Sequence, residues 1–206
     1  MRWSGNLAYA IGLITTDGSL SKDRRHINLT SKDKEQITNF AKVLNLKNKI
    51  GLKYSSYTHQ KKYYQIQFGN VKFYKFLERI GLFPNKTKTL GKLKIPKIYF
   101  ADYLRGHLDG DGCTYSYFDP RWKNSFMLYT TFTSASKKHL EWLRNRIKDL
   151  YGIEGKIGFQ GKSTYNLRFA KKSSILLLKK MYYHKKVLCL GRKRLKVCHA
   201  LSIINR

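Results

Sequence analysis

The stretch AIGLITTDG, residues 10–18, is an apolar run that ends in an Asp-Gly pair, and the stretch LRGHLDGDG, residues 104–112, ends in the same pair. The residues that recur at an offset of 94 are Tyr9, Gly12, Asp17 and Gly18, matched by Tyr103, Gly106, Asp111 and Gly112. Two later pairs are also similar: KIGLKY (49–54) with KIGFQG (156–161), and YYQIQFGN (63–70) with TYNLRFAK (164–171). We interpret the chain as a tandem duplication, with an insertion near residues 113–126 of the second copy.

Hydrophobic periodicity predicts the same order of elements in both copies. An apolar helix, two strands, an amphipathic helix, two further strands and a third helix follow one another. The predicted first and third helices are 5–16 and 70–81 in the first copy and 98–110 and 171–183 in the second, with a terminal helix near 194–204. The fold class predicted from this order is α+β, built from duplicated αββαββα halves.

The predicted domain organisation follows from the repeat. The first half spans residues 1–83 and the second spans residues 98–206. Between them, residues 84–97 are rich in Lys and contain Pro84 and Pro96, which is typical of a linker.

The charge of the chain predicts a polyanionic partner. Lys and Arg number 42 against 12 Asp and Glu, which gives a formal net charge of +30 over 206 residues. Nucleic acid is the leading candidate and an anionic membrane surface is the weaker one. No apolar run reaches the roughly 18 residues of a transmembrane helix, and the amino terminus has no convincing cleavage site. The three cysteines show no CxxC spacing, which favours reduced thiols in an intracellular protein.

Alternation along the strands predicts sheets with one apolar and one polar face. In YYQIQF, Ile66 and Phe68 point one way, while Gln65 and Gln67 point the other. Amide, hydroxyl and guanidinium groups match the donor and acceptor pattern of the DNA major groove. The residues predicted to contact DNA from the two polar faces are Ser21, Arg25, Asn28, Thr30, Lys53, Gln65 and Gln67 in the first copy, and Tyr115, Tyr117, Tyr129, Thr131, Lys156, Asn166 and Arg168 in the second.

The equivalent acids Asp17 and Asp111 are the main candidates for chemistry. A carboxylate at a helix carboxyl end is disfavoured by the macrodipole, and a divalent cation would compensate for it. Paired carboxylates suit Mg²⁺, which activates water and stabilises a leaving oxygen in phosphodiester hydrolysis. An EF-hand loop starting at Asp109 is excluded, because Thr114 and Pro120 occupy its Gly and Glu positions. The chain also lacks a GxxxxGK[ST] loop and an HExxH motif.

The two motifs, the αββαββα duplication and the polar, basic strands resemble the LAGLIDADG homing endonucleases in their single-chain, two-motif form. The resemblance covers essentially the whole chain. It implies a monomer in which two antiparallel β-sheet saddles, related by a pseudo-twofold axis, hold double-stranded DNA. The motif helices would pack at the centre, where Gly12 and Gly106 allow their close approach.

The resemblance also implies a set of metal ligands. The last acid of each motif, here Asp17 and Asp111, binds a divalent metal in the family. The backbone carbonyl before that acid contributes as well, which corresponds to Thr16 and Gly110. The expected cofactor is Mg²⁺ or Mn²⁺, whereas Ca²⁺ is expected to support DNA binding without cleavage.

Two further pairs of catalytic candidates come from the same resemblance. Relatives place a lysine after the third helix of each half, which corresponds to Lys86 and Lys193 and would stabilise charge on phosphate. A polar residue, often Gln, ends the second strand in many members. Here those positions are Ser31 and Ser134, which are shorter and would act through water.

The function that the resemblance implies is site-specific cleavage of double-stranded DNA, with one phosphodiester hydrolysed in each strand and short 3′ overhangs. An intron maturase, which binds intron RNA and need not cut, is one alternative on the same fold. A non-cleaving DNA-binding regulator is another, although such proteins usually append a further domain.

Overall fold

The computed structural model describes residues 1–54, 62–122, 124–161 and 163–204. The first copy consists of α1 (Gly5–Thr16), β1 (Gly18–Leu20), β2 (His26–Ser31), α2 (Lys34–Val43), β3 (Gly51–Tyr54), β4 (Lys62–Gly69) and α3 (Val71–Ile80). The second consists of α4 (Phe100–Asp109), β5 (Cys113–Phe118), β6 (Phe126–Ser134), α5 (Lys137–Tyr151), β7 (Lys156–Gly161), β8 (Thr164–Phe169) and α6 (Lys171–Met181), followed by α7 (Gly191–Ile204). The α+β class and the repeated αββαββα order are confirmed.

Each copy forms its own four-stranded antiparallel sheet. The first sheet has the order β1-β2-β4-β3 and the second has the equivalent order β5-β6-β8-β7. Along β4, Ile66 and Phe68 are buried whereas Gln67 is exposed, as the alternation predicts. Each sheet therefore has one face against the helices and one polar face turned outward.

The described chain divides into two compact units that differ from the predicted domains. The first unit comprises Met1–Lys86 and Leu93–Gly110, and the second comprises Thr87–Lys92 and Asp111–Arg206. The predicted linker is thus shared between the units. The lysines of this segment suggested that it is exposed. Its apolar residues Leu90, Leu93 and Ile95 are nevertheless buried.

Helix α4 belongs to the first unit because its backbone packs directly on that of α1. A Cβ atom at Gly106 would lie 2.0 Å from the carbonyl oxygen of Tyr9, and one at Gly12 would lie 2.4 Å from that of Tyr103. Neither position can hold a side chain without separating the helices. The predicted close approach through Gly12 and Gly106 is present.

Buried polar contacts fix the register of α1 against α4. The Tyr9 hydroxyl donates to Asp109 Oδ2 at 2.8 Å, and Arg105 Nη2 forms an ion pair with Asp102 Oδ1 at 2.6 Å. The Arg105 guanidinium also lies 5.7 Å from the centre of the Tyr9 ring. The Tyr9 contacts join the two helices, and the Arg105–Asp102 pair lies within α4.

Two smaller features complete the fold. Helix α7 begins at Gly191, three residues before the predicted 194, because the Leu190 carbonyl accepts hydrogen bonds from the backbone N–H groups of Lys193 and Arg194. Within the described residues, no helix combines the length and the apolar character needed to cross a membrane.

Candidate metal and DNA-contact sites

Asp17 is presented by the carboxyl end of α1. Its backbone N–H donates to the Leu13 carbonyl, so it completes the last turn of the helix. The chain then turns sharply into β1, and a Cβ at Gly18 would lie 2.6 Å from Ile14 Cα. A side chain at position 18 would not fit this turn, and the half-buried Asp17 stands at the negative end of the helix dipole, where a cation is favoured.

Gln36 lies against this carboxylate, and the sequence analysis did not identify it. Its Nε2 donates to Asp17 Oδ2 at 2.6 Å, and the residue is only 1% exposed. Gln36 is the third residue of α2 and shares the buried face of that helix with Ile37 and Phe40. A polar residue on an otherwise apolar helix face was the feature that could have revealed it.

The backbone of Gly110 lies close to the same carboxylate. A Cβ atom there would lie 1.9 Å from Thr16 Oγ1 and 3.0 Å from Asp17 Oδ2, so a side chain would fill the space beside the carboxylate. The first unit therefore places the backbones of Thr16 and Gly110 next to Asp17. Carboxylate and carbonyl oxygens are the donors that hard cations such as Mg²⁺ prefer, and this set fits a divalent metal.

No cluster of three or more His, Cys, Asp or Glu side chains suited to a metal occurs in the described parts of the chain. A cation at Asp17 would complete its shell with backbone carbonyls, water or a bound phosphate. Mg²⁺ commonly binds in this way, through one or two carboxylates together with water and phosphate oxygens.

Lys86 lies beside the same turn. It occupies a 3₁₀ turn, Lys86–Lys88, is 6% exposed, and its Nζ donates to the carbonyl of Gly18. The ammonium group is thus hydrogen-bonded to the backbone of Gly18, the residue that follows Asp17. A buried positive charge next to a carboxylate favours the binding of a phosphate or of a charged transition state there.

The second unit repeats this contact around Asp111. The Nζ of Lys193 donates to the carbonyl of Gly112 at 2.8 Å, and Gly112 follows Asp111 as Gly18 follows Asp17. Lys193 reaches its position from the first turn of α7, not from a 3₁₀ turn. The Asp111 side chain is exposed, whereas Asp17 is half-buried.

Ser31 and Ser134 serve the turns that follow their strands. Ser31 Oγ accepts the backbone N–H of Asp33 at 3.1 Å, and Ser134 Oγ accepts that of Ser136 at 3.1 Å. Ser31 is also 8% exposed. A serine side chain is short enough to fold back on the backbone two residues ahead, and its O–H remains able to donate. The predicted role of the two serines through water stays a prediction.

The polar face of the first sheet carries mainly amides. Asn28 lies opposite Gln67, Thr30 lies opposite Gln65, and none of these four side chains is buried. The other predicted contacts on this side are Ser21, Arg25 and Lys53, of which Arg25 and Lys53 are exposed. The face offers several hydrogen-bond donors and acceptors in a fixed register.

The turn that carries Arg25 is held by Asp23. Its Oδ1 accepts the backbone N–H groups of Arg25 and His26 at 3.0 Å each. The hydrogen bond from the His26 side chain, with these backbone bonds, lowers the pKa of Asp23 to about 2. Asp23 is therefore ionised at neutral pH and keeps the exposed Arg25 on an ordered turn.

The outward-facing surface of the second sheet carries three tyrosine side chains and an arginine. The rings of Tyr115 and Tyr129 are stacked at 5.1 Å, those of Tyr117 and Tyr129 at 6.3 Å, and the Arg168 guanidinium lies 5.7 Å from the centre of the Tyr129 ring. We call these four residues the tyrosine stack. The stack depends on cross-strand register, which the sequence analysis had not established.

The remaining predicted contacts of the second sheet differ in exposure. Lys156 is exposed, Asn166 is half-buried and Thr131 is only 7% exposed. Thr131 lies on the central strand β6 between Cys113 and Arg168. The low exposure of Thr131 limits its access to a ligand, and its predicted contact with DNA stays a prediction.

Comparison with known proteins agrees with this geometry. Residues 4–81 match the family described as LAGLIDADG-like domain. The match covers the first copy of the duplication, which is therefore similar to the LAGLIDADG-like domain. No curated protein matches the sequence.

Solved structures match nearly the whole chain. The homing endonuclease I-WcaI bound to its DNA recognition sequence matches with a TM-score of 0.69 and 16% identity, over 96% of this chain and 88% of that one. I-DmoI in complex with DNA and Mn matches with a TM-score of 0.55 and 18% identity, over 87% and 98%. Full-length DUF199/WhiA from Thermatoga maritima matches with a TM-score of 0.59 and 16% identity, over 99% and 69%. At these identities the matches establish the fold.

Proposed function

We propose that this chain is a site-specific, metal-dependent endonuclease for double-stranded DNA. The observation that carries the proposal is the contact repeated in both copies. In each, a lysine Nζ bonds the carbonyl of the glycine that follows a motif aspartate: Lys86 to Gly18 and Lys193 to Gly112. An ammonium group is thereby held at the backbone next to a motif aspartate in each copy, by a 3₁₀ turn in one and by the first turn of α7 in the other.

Each residue has a defined chemical task in this proposal. Asp17 and Asp111 each hold a divalent metal, with the backbone carbonyls of Thr16 and Gly110 as further oxygen ligands. When bound, the metal lowers the pKa of a coordinated water and stabilises the leaving oxygen. Lys86 and Lys193 direct positive charge toward the phosphate, and each carboxylate serves the hydrolysis of one strand, leaving short 3′ overhangs.

The two polar sheet faces supply the DNA contacts. Amides on the first sheet suit base edges, and the tyrosine stack with its arginine suits sugar, methyl and phosphate groups. The net charge of +30 supports a polyanion as ligand. We propose that the protein acts as a monomer and that its affinity for DNA falls steeply with salt, because each neutralised phosphate releases counterions.

The DNA-bound structures of I-WcaI and I-DmoI support this assignment, and the presence of Mn with I-DmoI supports the choice of metal. The match to WhiA favours a second candidate, a DNA-binding protein that does not cut, because the fold also occurs in a chain that is not described as an endonuclease. An intron maturase is the RNA-binding version of that alternative.

The experiment that tests the proposal is cleavage of a plasmid library by purified protein in Mg²⁺, with Asp111→Asn and Ca²⁺ as controls. Site-specific linear product from the wild-type protein in Mg²⁺ alone is the expected result, and it reveals the target sequence as well. Tight, sequence-selective DNA binding with no cutting in Mg²⁺ or Mn²⁺ would contradict the endonuclease and favour a regulator. Preference for structured RNA over DNA would favour a maturase.

A further inference from the structure

We propose that Gln36 is a positioning residue for the Asp17 metal site and that the two copies orient their catalytic carboxylates by different means. This inference rests on the proposed endonuclease function. It predicts that the loss of one buried amide slows the cutting of one DNA strand and leaves the cutting of the other unchanged.

The geometry assigns a single orientation to the Gln36 amide. Nε2 lies 2.6 Å from Asp17 Oδ2. An ionised carboxylate only accepts hydrogen bonds, so the NH₂ group and not the amide oxygen must face it. Because Gln36 is 1% exposed and sits in the first turn of α2 beside Ile37, the packing of the helix holds the amide in place.

A neutral donor is suited to this task. It fixes the rotamer of Asp17 through one oxygen and leaves further lone pairs of the carboxylate for a cation. A lysine or arginine in the same place would bring a positive charge that competes with the metal. Hydrogen-bond partners of ligating carboxylates typically change metal affinity or activity by roughly 10- to 100-fold when they are removed.

The second copy carries a different residue at the equivalent position. His139 is the third residue of α5, as Gln36 is of α2, and it is also buried. Its Nδ1 lies 2.8 Å from the carbonyl of Gly91, within the second unit. The second copy therefore has no glutamine amide to hold Asp111 in the manner of Asp17, and the expected defect is confined to the Asp17 site.

The test uses Gln36→Met in the full chain, which keeps the length of the side chain and removes the donor. Cleavage of plasmid carrying the target is followed with each strand labelled, over a range of Mg²⁺ concentrations. We expect the Mg²⁺ requirement of one strand to rise by about 10- to 100-fold, so that nicked plasmid accumulates, and high Mg²⁺ to restore cutting. Thr38→Met, which introduces the same side chain at an exposed position of α2, is the control and is expected to cut like the wild type.

A second readout does not depend on cleavage. Ca²⁺ binding to the complex with target DNA is measured by calorimetry in an Asp111→Asn background, with and without Gln36→Met, and the affinity is expected to fall. Gln36→Asn, which keeps the amide but is one methylene too short to reach Asp17, is expected to reproduce both effects. Circular dichroism melting of each variant identifies any failure to fold.

The outcomes separate this inference from the proposed function. A wild-type protein that cuts neither strand refutes the endonuclease. A wild-type protein that cuts both strands, together with folded Gln36 variants that slow both strands equally or neither, refutes the positioning role alone. Unchanged Ca²⁺ affinity in the folded variants also refutes it.

Discussion

The two motif sites share one contact and differ in everything around it. In each copy a lysine bonds the carbonyl of the glycine after the motif aspartate, yet Lys86 comes from a 3₁₀ turn and Lys193 from the first turn of α7. Asp17 is half-buried, whereas Asp111 is exposed. The lysine contact is present in both copies although the elements that supply the lysine differ. We infer that this contact is the part of the duplicated site that the proposed chemistry uses.

The two sheets also share a framework and differ in the side chains that they carry. Both have the same strand order, but the first presents paired amides such as Asn28 and Gln67, and the second presents the tyrosine stack. Duplication therefore preserved the scaffold while the outward-facing residues diverged. We expect the two halves to read different base sequences and to depend differently on hydrogen bonding.

Removing both carboxylates is the change with the largest expected effect on activity. The double variant Asp17→Asn, Asp111→Asn is expected to lose cleavage by more than about 1,000-fold, since several kcal/mol of transition-state stabilisation disappear. Gel-shift measurements should find DNA binding retained. Loss of folding in this variant would instead make the acids structural, and residual cutting near the wild-type rate would place the chemistry elsewhere.

Substitution of the motif glycines tests the packing of α1 on α4, which supports the Asp17 site. Gly106→Ala places a Cβ 2.0 Å from the Tyr9 carbonyl, and Gly12→Ala places one 2.4 Å from that of Tyr103. Each substitution is expected to lower the free energy of unfolding by about 3 kcal/mol or more, because backbone atoms must move apart. Denaturant unfolding measures this loss. Gly91→Ala is the control, since a Cβ there meets nothing within 4 Å and should leave stability unchanged.

Substitution of the two lysines compares the two sites directly. Lys86→Met and Lys193→Met are each expected to slow the cutting of one strand by about 100-fold, as for the loss of a preorganised positive charge. Lys86→Met should in addition reduce stability by about 1–3 kcal/mol, because the Gly18 carbonyl loses a buried donor. Strand-resolved rates and thermal melting give the two quantities. Lys193 is half-buried whereas Lys86 is buried, so equal stability losses for both variants would contradict this prediction.

The sheet faces give the smallest expected effect. Gln67→Ala should relax base preference at one position of the target by about 1 kcal/mol or more, because an amide that can pair with a base edge is lost. Tyr129→Phe should change the preference little, since the stacked ring remains. Cleavage of single-substitution target libraries measures both. A larger change for Tyr129→Phe than for Gln67→Ala would reverse our description of the two faces.

The sequence was sufficient for features that repeat or alternate locally. The offset between the motifs predicted the duplication, and strand alternation predicted the buried Ile66 and Phe68. Asp17 and Asp111 followed from their equivalent places in the repeat. The resemblance then indicated Lys86 and Lys193, and the structure places both lysines beside the expected turns.

The remaining features depend on packing in three dimensions. Gln36 reaches Asp17 across 19 residues, and only the docking of α2 brings them together. The lysine-rich segment looked like a linker, but its Leu90 and Leu93 are buried in the two different units. Ser31 Oγ accepts the backbone N–H of Asp33, a local contact that strand alternation does not predict.

The most direct test of the central claim is strand-resolved cleavage of the target by Asp17→Asn and by Asp111→Asn, each as a single variant. Because each carboxylate is proposed to serve one strand, each variant should nick the target, and the two nicks should fall on opposite strands. Nicks on the same strand, or two cut strands with either variant, would contradict the assignment of one motif aspartate to each strand.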